Sequence, residues 1–71
     1  MRKNAKLTKT ICKKIKKYRH EIGLTQEDLA EKGGVSRVYI GYVEQGRNSP
    51  SLEILEKIAK SLKVRLSDLV D

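Results

Sequence analysis

Apolar residues recur at three- and four-residue spacing along most of the chain, which is the period of one face of an α-helix. The first such stripe consists of Leu7, Ile11, Ile15, Tyr18 and Ile22. Thr8 or Thr10 is expected to cap this helix. Gly23 is expected to end it, because glycine accepts the left-handed conformation that follows many helices. Residues 1–7 lack the period, and we interpret them as a flexible basic arm.

Two short helices, joined through a pair of glycines, follow the first. Thr25 is the predicted N-cap of the second helix, because a threonine hydroxyl accepts a hydrogen bond from an amide in the first turn. Leu29 and Ala30 are the inward positions of this helix. Gly33-Gly34 ends it, and Gly34 is expected to adopt a left-handed conformation.

The third helix runs from a Ser36 cap to Gly46 and has two different sides. At about 100° per residue, Ile40 and Val43 fall together on one side, which predicts their burial. The opposite side carries Val38, Gly41, Tyr42 and Gln45. The helix therefore has an apolar face for its own fold and a second face for a partner. Gly41 either permits close approach of that partner or is a neutral substitution.

Two more helices are predicted in the C-terminal part of the chain. The fourth, with Ser51 as its cap, has an apolar stripe of Leu52, Leu55, Ile58, Ala59 and Leu62. The last has Ser67 as its expected cap, Asp68 in its first turn, and apolar residues at Val64, Leu66, Leu69 and Val70. No strand-like alternation is present. The sequence therefore predicts an all-α fold of five helices in one domain, residues 1–71.

The positive charge is concentrated before residue 20. The chain carries a net charge of +7, and nine of its 16 Lys and Arg residues lie between Arg2 and Arg19, ahead of the first acidic residue, Glu21. From Glu21 onward there are seven basic and nine acidic residues. A basic small domain indicates a polyanionic partner. The N-terminal lysines either contact phosphates or form a solvated helix face.

Several classes of protein do not fit the sequence. A single cysteine, Cys12, excludes a disulfide framework and a zinc finger. Cys12 and His20, eight residues apart on one helix, are separated by about 12 Å, which is beyond hydrogen-bond reach. We therefore expect no enzyme, no metal and no cofactor. The absence of an apolar N-terminal run or a membrane-length segment predicts a cytoplasmic protein with no membrane contact.

The two short helices carry a recognisable signature at Gln26, Ala30, Gly34, Val35, Ile40 and Val43. With Arg19 ahead of GLTQEDLA, followed by VEQG and PSLEILEKIAKSLKV, the chain resembles the Cro/CI-type (XRE) family of helix-turn-helix regulators. YIGYVEQGRN is also similar to the controller proteins of restriction-modification systems. The resemblance implies a compact lambda-repressor-like DNA-binding domain, with its helix-turn-helix at about residues 25–45.

The resemblance also implies site residues on double-stranded DNA. The base contacts are expected from Arg37, Val38 and Tyr42. The phosphate contacts are expected from Gln26, Ser36, Tyr39, Gln45, Arg47 and Asn48. Gln26 lies at a helix start, where amides and the helix dipole favour a phosphate, although simple capping is the alternative. For Arg47 and Asn48 the alternative is a solvated loop.

Arg19 and Glu44 are predicted to form an internal ion pair. Glu44 falls near the buried face of the third helix, where a carboxylate needs a partner. In the family that the chain resembles, an Arg and a Glu at these positions pair with each other. The alternative is a phosphate contact by Arg19, which lies among lysines.

The function that follows is sequence-specific transcriptional regulation, by a repressor or an autoregulatory controller that binds a palindromic operator in the major groove. It would act by promoter occlusion or by contact with RNA polymerase. A homodimer is expected, and its interface is assigned to Val64, Leu66, Leu69 and Val70 unless these residues only close the monomer's core. The alternative function is a protein-interaction module, either an antitoxin or an adaptor that bridges transcription factors.

Overall fold

The computed structural model describes the backbone of residues 2–70 and the side chains of residues 9–70. Within this part of the chain the secondary structure is entirely helical. The helices are α1 (Arg2–Glu21), α2 (Gln26–Gly33), α3 (Arg37–Glu44), α4 (Leu52–Leu62) and α5 (Leu66–Val70). The predicted all-α class with five helices is confirmed.

Helix α1 begins earlier than the sequence pattern indicated. Its backbone is helical from Arg2, so the expected cap at Thr8 or Thr10 is wrong. The physical reason is that Arg, Lys, Ala and Leu, which make up most of residues 2–7, are good helix formers, and neither Gly nor Pro interrupts them. Residues 2–7, interpreted above as a basic arm, are therefore part of the helix. Their side chains, and Met1, lie outside the described residues.

The helix ends are fixed by local hydrogen bonds, mostly as predicted. Thr25 and Asp28 form a reciprocal capping box at α2. The hydroxyls of Ser36 and Ser51 accept from amides three residues on, at 3.0 and 3.2 Å. The predicted Ser67 cap is wrong, because Ser67 lies inside α5. Instead the Asp68 carboxylate reaches back one turn and accepts from the amide of Arg65 at 2.9 Å.

Every described helix contributes to one small core. Its members are Ile11, Ile15, Leu29, Ala30, Ile40, Val43, Leu55, Ile58, Ala59, Leu62 and Leu69. Two residues predicted on inward stripes lie outside it: Ile22 is 42% exposed and Leu52 is 62% exposed. Both lie at a helix end, Ile22 after α1 and Leu52 as the first residue of α4. At these two positions the neighbouring helices do not cover the apolar stripe.

Helix α5 packs against α1 and α4 and closes the core at that end. Leu69 is fully buried within the monomer, so its assignment to a dimer interface is wrong. Val64, Leu66 and Val70 are half-buried and pack against the core. The interface assignment of these three residues stays a prediction. In the part of the chain that the structure describes, no helix combines the length and apolarity needed to cross a membrane.

Candidate nucleic-acid interface

The turn between α2 and α3 is set by Gly34. Its φ of 71° places it in the left-handed region, where a Cβ would be strained and glycine is favoured. The Gly34 amide bonds back to α2, and the amide of Val35 donates to the Ala30 carbonyl at 3.0 Å. The chain then enters α3 through the Ser36 cap. Ala30 is buried, and α2 packs directly against α3.

Helix α3 has the two faces that the sequence predicted. Ile40 and Val43 are fully buried, whereas Val38 and Tyr42 are 53% and 42% exposed. Arg37 and Gln45 are also exposed. Val38 and Tyr42 lie one helical turn apart, so together they form an apolar patch on the outer face of α3.

A shallow depression of about 180 Å³ lies on the exposed side of α3. Its lining comprises Gln26 from α2 and Arg37, Val38, Gly41, Tyr42 and Gln45 from α3. The structure thus brings all three predicted base-contacting residues together with two of the predicted phosphate-contacting residues. Gly41 belongs to the same surface. The sequence placed Gly41 on this face and left open whether it permits close approach of a partner or is a neutral substitution.

The predicted Arg19–Glu44 ion pair is present. The Arg19 Nε donates to Glu44 Oε2 at 2.6 Å and its Nη2 donates to Oε1 at 3.0 Å. The two side chains are only 8% and 3% exposed. The Arg19 Nη1 also donates to the carbonyl of Leu24 at 2.8 Å. These bonds occupy the guanidinium, so Arg19 ties α1 to α3 and is not available for a phosphate.

Gln26 has a partner that the sequence gave no means of finding. Its Nε2 donates to Glu44 Oε1 at 3.1 Å. Capping of α2 is done by Thr25 instead. The amide orientation of Gln26 is fixed, because the opposite orientation would place its oxygen against the Glu44 carboxylate. The Gln26 Oε1 is therefore left to face α3. No local signal links residues 18 positions apart.

Tyr42 and Arg47 also form a contact that was not predicted. The Arg47 guanidinium lies over the Tyr42 ring, 4.9 Å from its centroid, which is cation–π geometry. The Arg47 amide donates to the Tyr42 carbonyl at 2.9 Å, so the backbone folds back at the end of α3. Arg47 is therefore attached to the exposed face of α3 and is not an isolated loop residue.

The other predicted phosphate-contacting residues surround this face. The Ser36 hydroxyl accepts from the Tyr39 amide. Tyr39 is half-buried against the core, and desolvation raises the pKa of its phenol. Asn48 is half-buried and Gln45 is exposed. Arg37 also borders a second depression of about 520 Å³, at the junction of α1 and α2.

Cys12 is packed inside the protein and His20 is exposed to solvent. Cys12 is buried, and its Sγ donates to the Lys9 carbonyl at 3.4 Å. His20 is exposed, with its Nε2 3.3 Å from Arg19 Nη2. Among the described residues, no three His, Cys, Asp or Glu side chains are grouped as metal ligands would be.

Comparison with known proteins gives consistent results. The profile of the HTH_3 helix-turn-helix family matches residues 15–69. An uncharacterised HTH-type transcriptional regulator of Methanocaldococcus jannaschii is 50% identical over 56 residues, which cover 79% of this chain and 85% of that protein. The immunity repressor protein of Bacillus phage phi105 is 43% identical over 61 residues, which cover 86% of this chain and 42% of the repressor.

The same likeness extends to solved structures. The restriction-modification controller protein C.AhdI from Aeromonas hydrophila is similar with a TM-score of 0.84 and 32% identity, over 87% of this chain and 94% of that chain. The resemblances to Cro/CI-type regulators and to controller proteins are confirmed. The two sequence relatives are named as a regulator and a repressor, not as enzymes. This chain therefore belongs to the HTH_3 (XRE) family of DNA-binding helix-turn-helix transcriptional regulators.

Proposed function

We propose that this regulator binds a palindromic operator in double-stranded DNA as a homodimer, with α3 of each copy in the major groove. The observation that carries the proposal is the outer face of α3. It presents Arg37, Val38 and Tyr42 outward, on a helix whose opposite side is buried. An α-helix fits the major groove, where each base pair has a distinct pattern of donors, acceptors and methyl groups.

Each exposed residue of α3 has a role that fits its chemistry. The Arg37 guanidinium suits a bidentate contact with a guanine edge, and Val38 suits an apolar contact with a thymine methyl. Tyr42 offers a hydroxyl to a base edge and a ring whose orientation is fixed by Arg47. Gln26, Ser36, Tyr39, Gln45, Arg47 and Asn48 are assigned to the phosphates that border the groove.

Most of the electrostatic attraction is assigned to α1. Lys13, Lys16 and Lys17 are exposed on this helix, whereas the chain from Glu21 onward has nine acidic residues against seven basic ones. Phosphate neutralisation releases counterions, so binding is expected to weaken steeply with salt. The charge sets affinity, and the outer face of α3 sets the base preference.

A homodimer is proposed because a two-fold pair of α3 helices matches a palindrome, with half-site centres about 10–10.5 base pairs apart. Val64, Leu66 and Val70 stay assigned to its interface. A repressor of this kind acts by occluding a promoter or by contacting RNA polymerase from a nearby site. The cytoplasmic location expected from the sequence remains part of this proposal.

The test is selection from random double-stranded sequences, followed by footprinting and measurement of binding against salt. A regulator enriches one palindrome. Arg37→Ala is then expected to relax the preference at one base position and to cost about 1–3 kcal/mol. Lys60→Ala is the control, because Lys60 is exposed in a lysine-lined depression that shares no residue with the α3 face.

Two outcomes would redirect the proposal. A uniform loss over all sequences in Arg37→Ala would move Arg37 to the phosphate-contacting residues. A pool without any consensus, bound weakly and in a salt-sensitive manner, would favour the protein-interaction module. The near-neutral charge of the helix-turn-helix region is the observation that supports a protein-interaction module as the alternative.

A further inference from the structure

Gly41 lines the depression on the outer face of α3 and contributes no side chain to it. A Cβ placed on Gly41 would stand 3.9 Å from the Gln26 Oε1, the nearest heavy atom apart from its chain neighbours and the backbone of its own helix. A side chain at position 41 would therefore project into the depression that Gly41 lines together with Gln26, Val38 and Tyr42. Val38 and Tyr42 lie one helical turn apart, at about 5–6 Å between their Cβ atoms.

Two contacts hold the borders of this depression in place. Gln26 is bonded through its Nε2 to the buried Glu44 carboxylate, and this bond restrains its side chain, with the Oε1 on the side of Gly41. The Tyr42 ring is held through one face by the Arg47 guanidinium. These two contacts therefore restrain the side chains on two borders of the depression.

The lining of the depression restricts which DNA group fits against it. The apolar part of the lining is formed by the branched side chain of Val38, the ring of Tyr42 and the bare backbone of Gly41. The polar side chains of Gln26, Arg37 and Gln45 complete the lining. In the major groove of B-DNA the base edges present donors and acceptors, except for the 5-methyl group of thymine. A methyl group makes favourable contacts with apolar atoms at about 4.0–4.5 Å.

We infer that the depression at Gly41 receives the 5-methyl group of one thymine in each half-site, with Val38 and Tyr42 as its apolar walls. This inference rests on the proposed function and adds to it one base preference and the residue that permits it. Gly41 acts as a specificity-determining residue by its lack of a Cβ. Val38 alone would contact a methyl from one side, whereas the depression surrounds it.

The expected size of the effect follows from the burial of one methyl group. Transfer of a single methyl from water to an apolar site corresponds to about fourfold in affinity, or ~0.8 kcal/mol. Replacing the critical thymine by deoxyuridine removes only this methyl and keeps the Watson–Crick pairing. The same replacement at the other thymines of the site is the internal control.

The experiment measures the affinity of the full chain for the selected operator, with deoxyuridine placed at each thymine in turn. For the unmodified protein, one thymine per half-site is expected to show about fourfold weaker binding after loss of its methyl. In Gly41→Ala the new methyl projects into the depression, at the position proposed for the thymine methyl. This variant is expected to bind the thymine operator more weakly and to lose the difference between thymine and deoxyuridine.

Gly41→Ala is expected to leave the fold unchanged, because alanine fits the helix at this position. Its Cβ makes only an ordinary contact, and alanine favours a helix interior over glycine. A thermal melt at or above that of the unmodified protein verifies the fold. Val38→Ser, which removes one wall, is expected to reduce the methyl effect without abolishing selection of the palindrome.

The outcomes separate this inference from the proposed function. A consensus site in which no thymine responds to deoxyuridine overturns the inference and leaves the proposed function standing. Retention of the full methyl effect in Gly41→Ala also overturns it. So does an equal loss of affinity for the thymine operator and for the deoxyuridine operators in that variant. Failure to select any consensus overturns both.

Discussion

Glu44 is the residue on which the arrangement of the interface depends. Its carboxylate accepts from Arg19 of α1 and from Gln26 of α2, while Glu44 itself belongs to α3. One buried charge thus joins three helices. Ion pairs of this kind contribute little compared with apolar residues of equal size, but removal of one partner leaves an uncompensated charge. The pair therefore fixes the geometry of the helix-turn-helix more than it adds to stability.

Arg19→Ala is expected to lower the free energy of unfolding by about 3–5 kcal/mol, because Glu44 is left buried without its cation. Glu44→Ala is expected to do the same, and the double variant to lose less than the sum of the two. Urea unfolding of the single and double variants measures this. Arg65→Ala is the control, since Arg65 and Asp68 are 3.9 Å apart with side chains 85% and 36% exposed. An Arg19 effect as small as that of Arg65 would contradict the prediction.

At the scale of the element, α2 and α3 each depend on a glycine, for opposite reasons. Gly34 is needed for its backbone, with a φ of 71° and no atom near its missing Cβ. Gly41 has an ordinary helical backbone, and its missing Cβ leaves space on the surface. The first glycine supports the fold, and the second is assigned to function. The same substitution at the two positions separates these roles.

Gly34→Ala is expected to destabilise the protein by about 1–2 kcal/mol, because an alanine in the left-handed region is strained. Gly41→Ala is expected to stabilise it by up to about 1 kcal/mol, through helix propensity. Chemical unfolding of the two variants and of the unmodified protein shows whether each substitution raises or lowers the free energy of unfolding. Equal losses at both positions would mean that Gly41 also has a structural role.

The cap of α2 makes the fold sensitive to acid. The Thr25 amide donates to the Asp28 carboxylate at 3.0 Å, and this bond is the main cause that holds the pKa of Asp28 below its ordinary value. A group with a lowered folded-state pKa contributes stability above its unfolded pKa, and loses it as the pH falls through the folded value. The contribution is therefore complete at neutral pH and lost only at low pH.

Asp28→Asn is expected to flatten the loss of stability between neutral pH and about pH 2, because its amide does not titrate in this range. Unfolding at a series of pH values measures the slope. Thr25→Ala retains the backbone amide that is the main cause of the shift, so it is expected to keep most of the acid dependence. A wild-type slope in Asp28→Asn would show that the cap does not contribute to it.

At the scale of the molecule, one small core supports helices that have different roles. The lysine-rich α1, the outer face of α3 and the core-closing α5 are different parts of one domain. Natural domains have a stability of about 5–15 kcal/mol, and small ones lie near the lower limit. The loss of one fully buried side chain therefore removes a large fraction of the total.

Leu69→Ala is expected to cost about 2–5 kcal/mol and to lower the melting temperature strongly, because Leu69 is fully buried. Leu52→Ala is the matched control: the same substitution at a residue that is 62% exposed is expected to change stability little. Thermal unfolding of both variants tests the two assignments. A larger loss at Leu52 would indicate that Leu52 is covered in solution, as in a homodimer interface.

The sequence by itself determined the features that depend on local interactions. Helix periodicity identified the five helices and the two faces of α3. The residue types at Thr25, Ser36 and Ser51 identified the starts of α2, α3 and α4, and Gly34 identified the end of α2. The Arg19–Glu44 pair was also predicted, because a carboxylate near a buried face has to be compensated and the family resemblance supplied the partner. These features need no knowledge of how the helices pack.

Only the tertiary structure decided the features that depend on how the helices pack together or where a chain segment ends. Gln26 meets Glu44, and Arg47 meets the Tyr42 ring, because of the angle between α2 and α3 and the backbone turn after α3. Periodicity places a residue on a face but does not say where the neighbouring helix ends, so Leu52 was expected to be buried and Leu69 to be available to a partner. For the same reason the sequence alone does not predict the depression at Gly41, because the depression depends on the position of Gln26 beside α3.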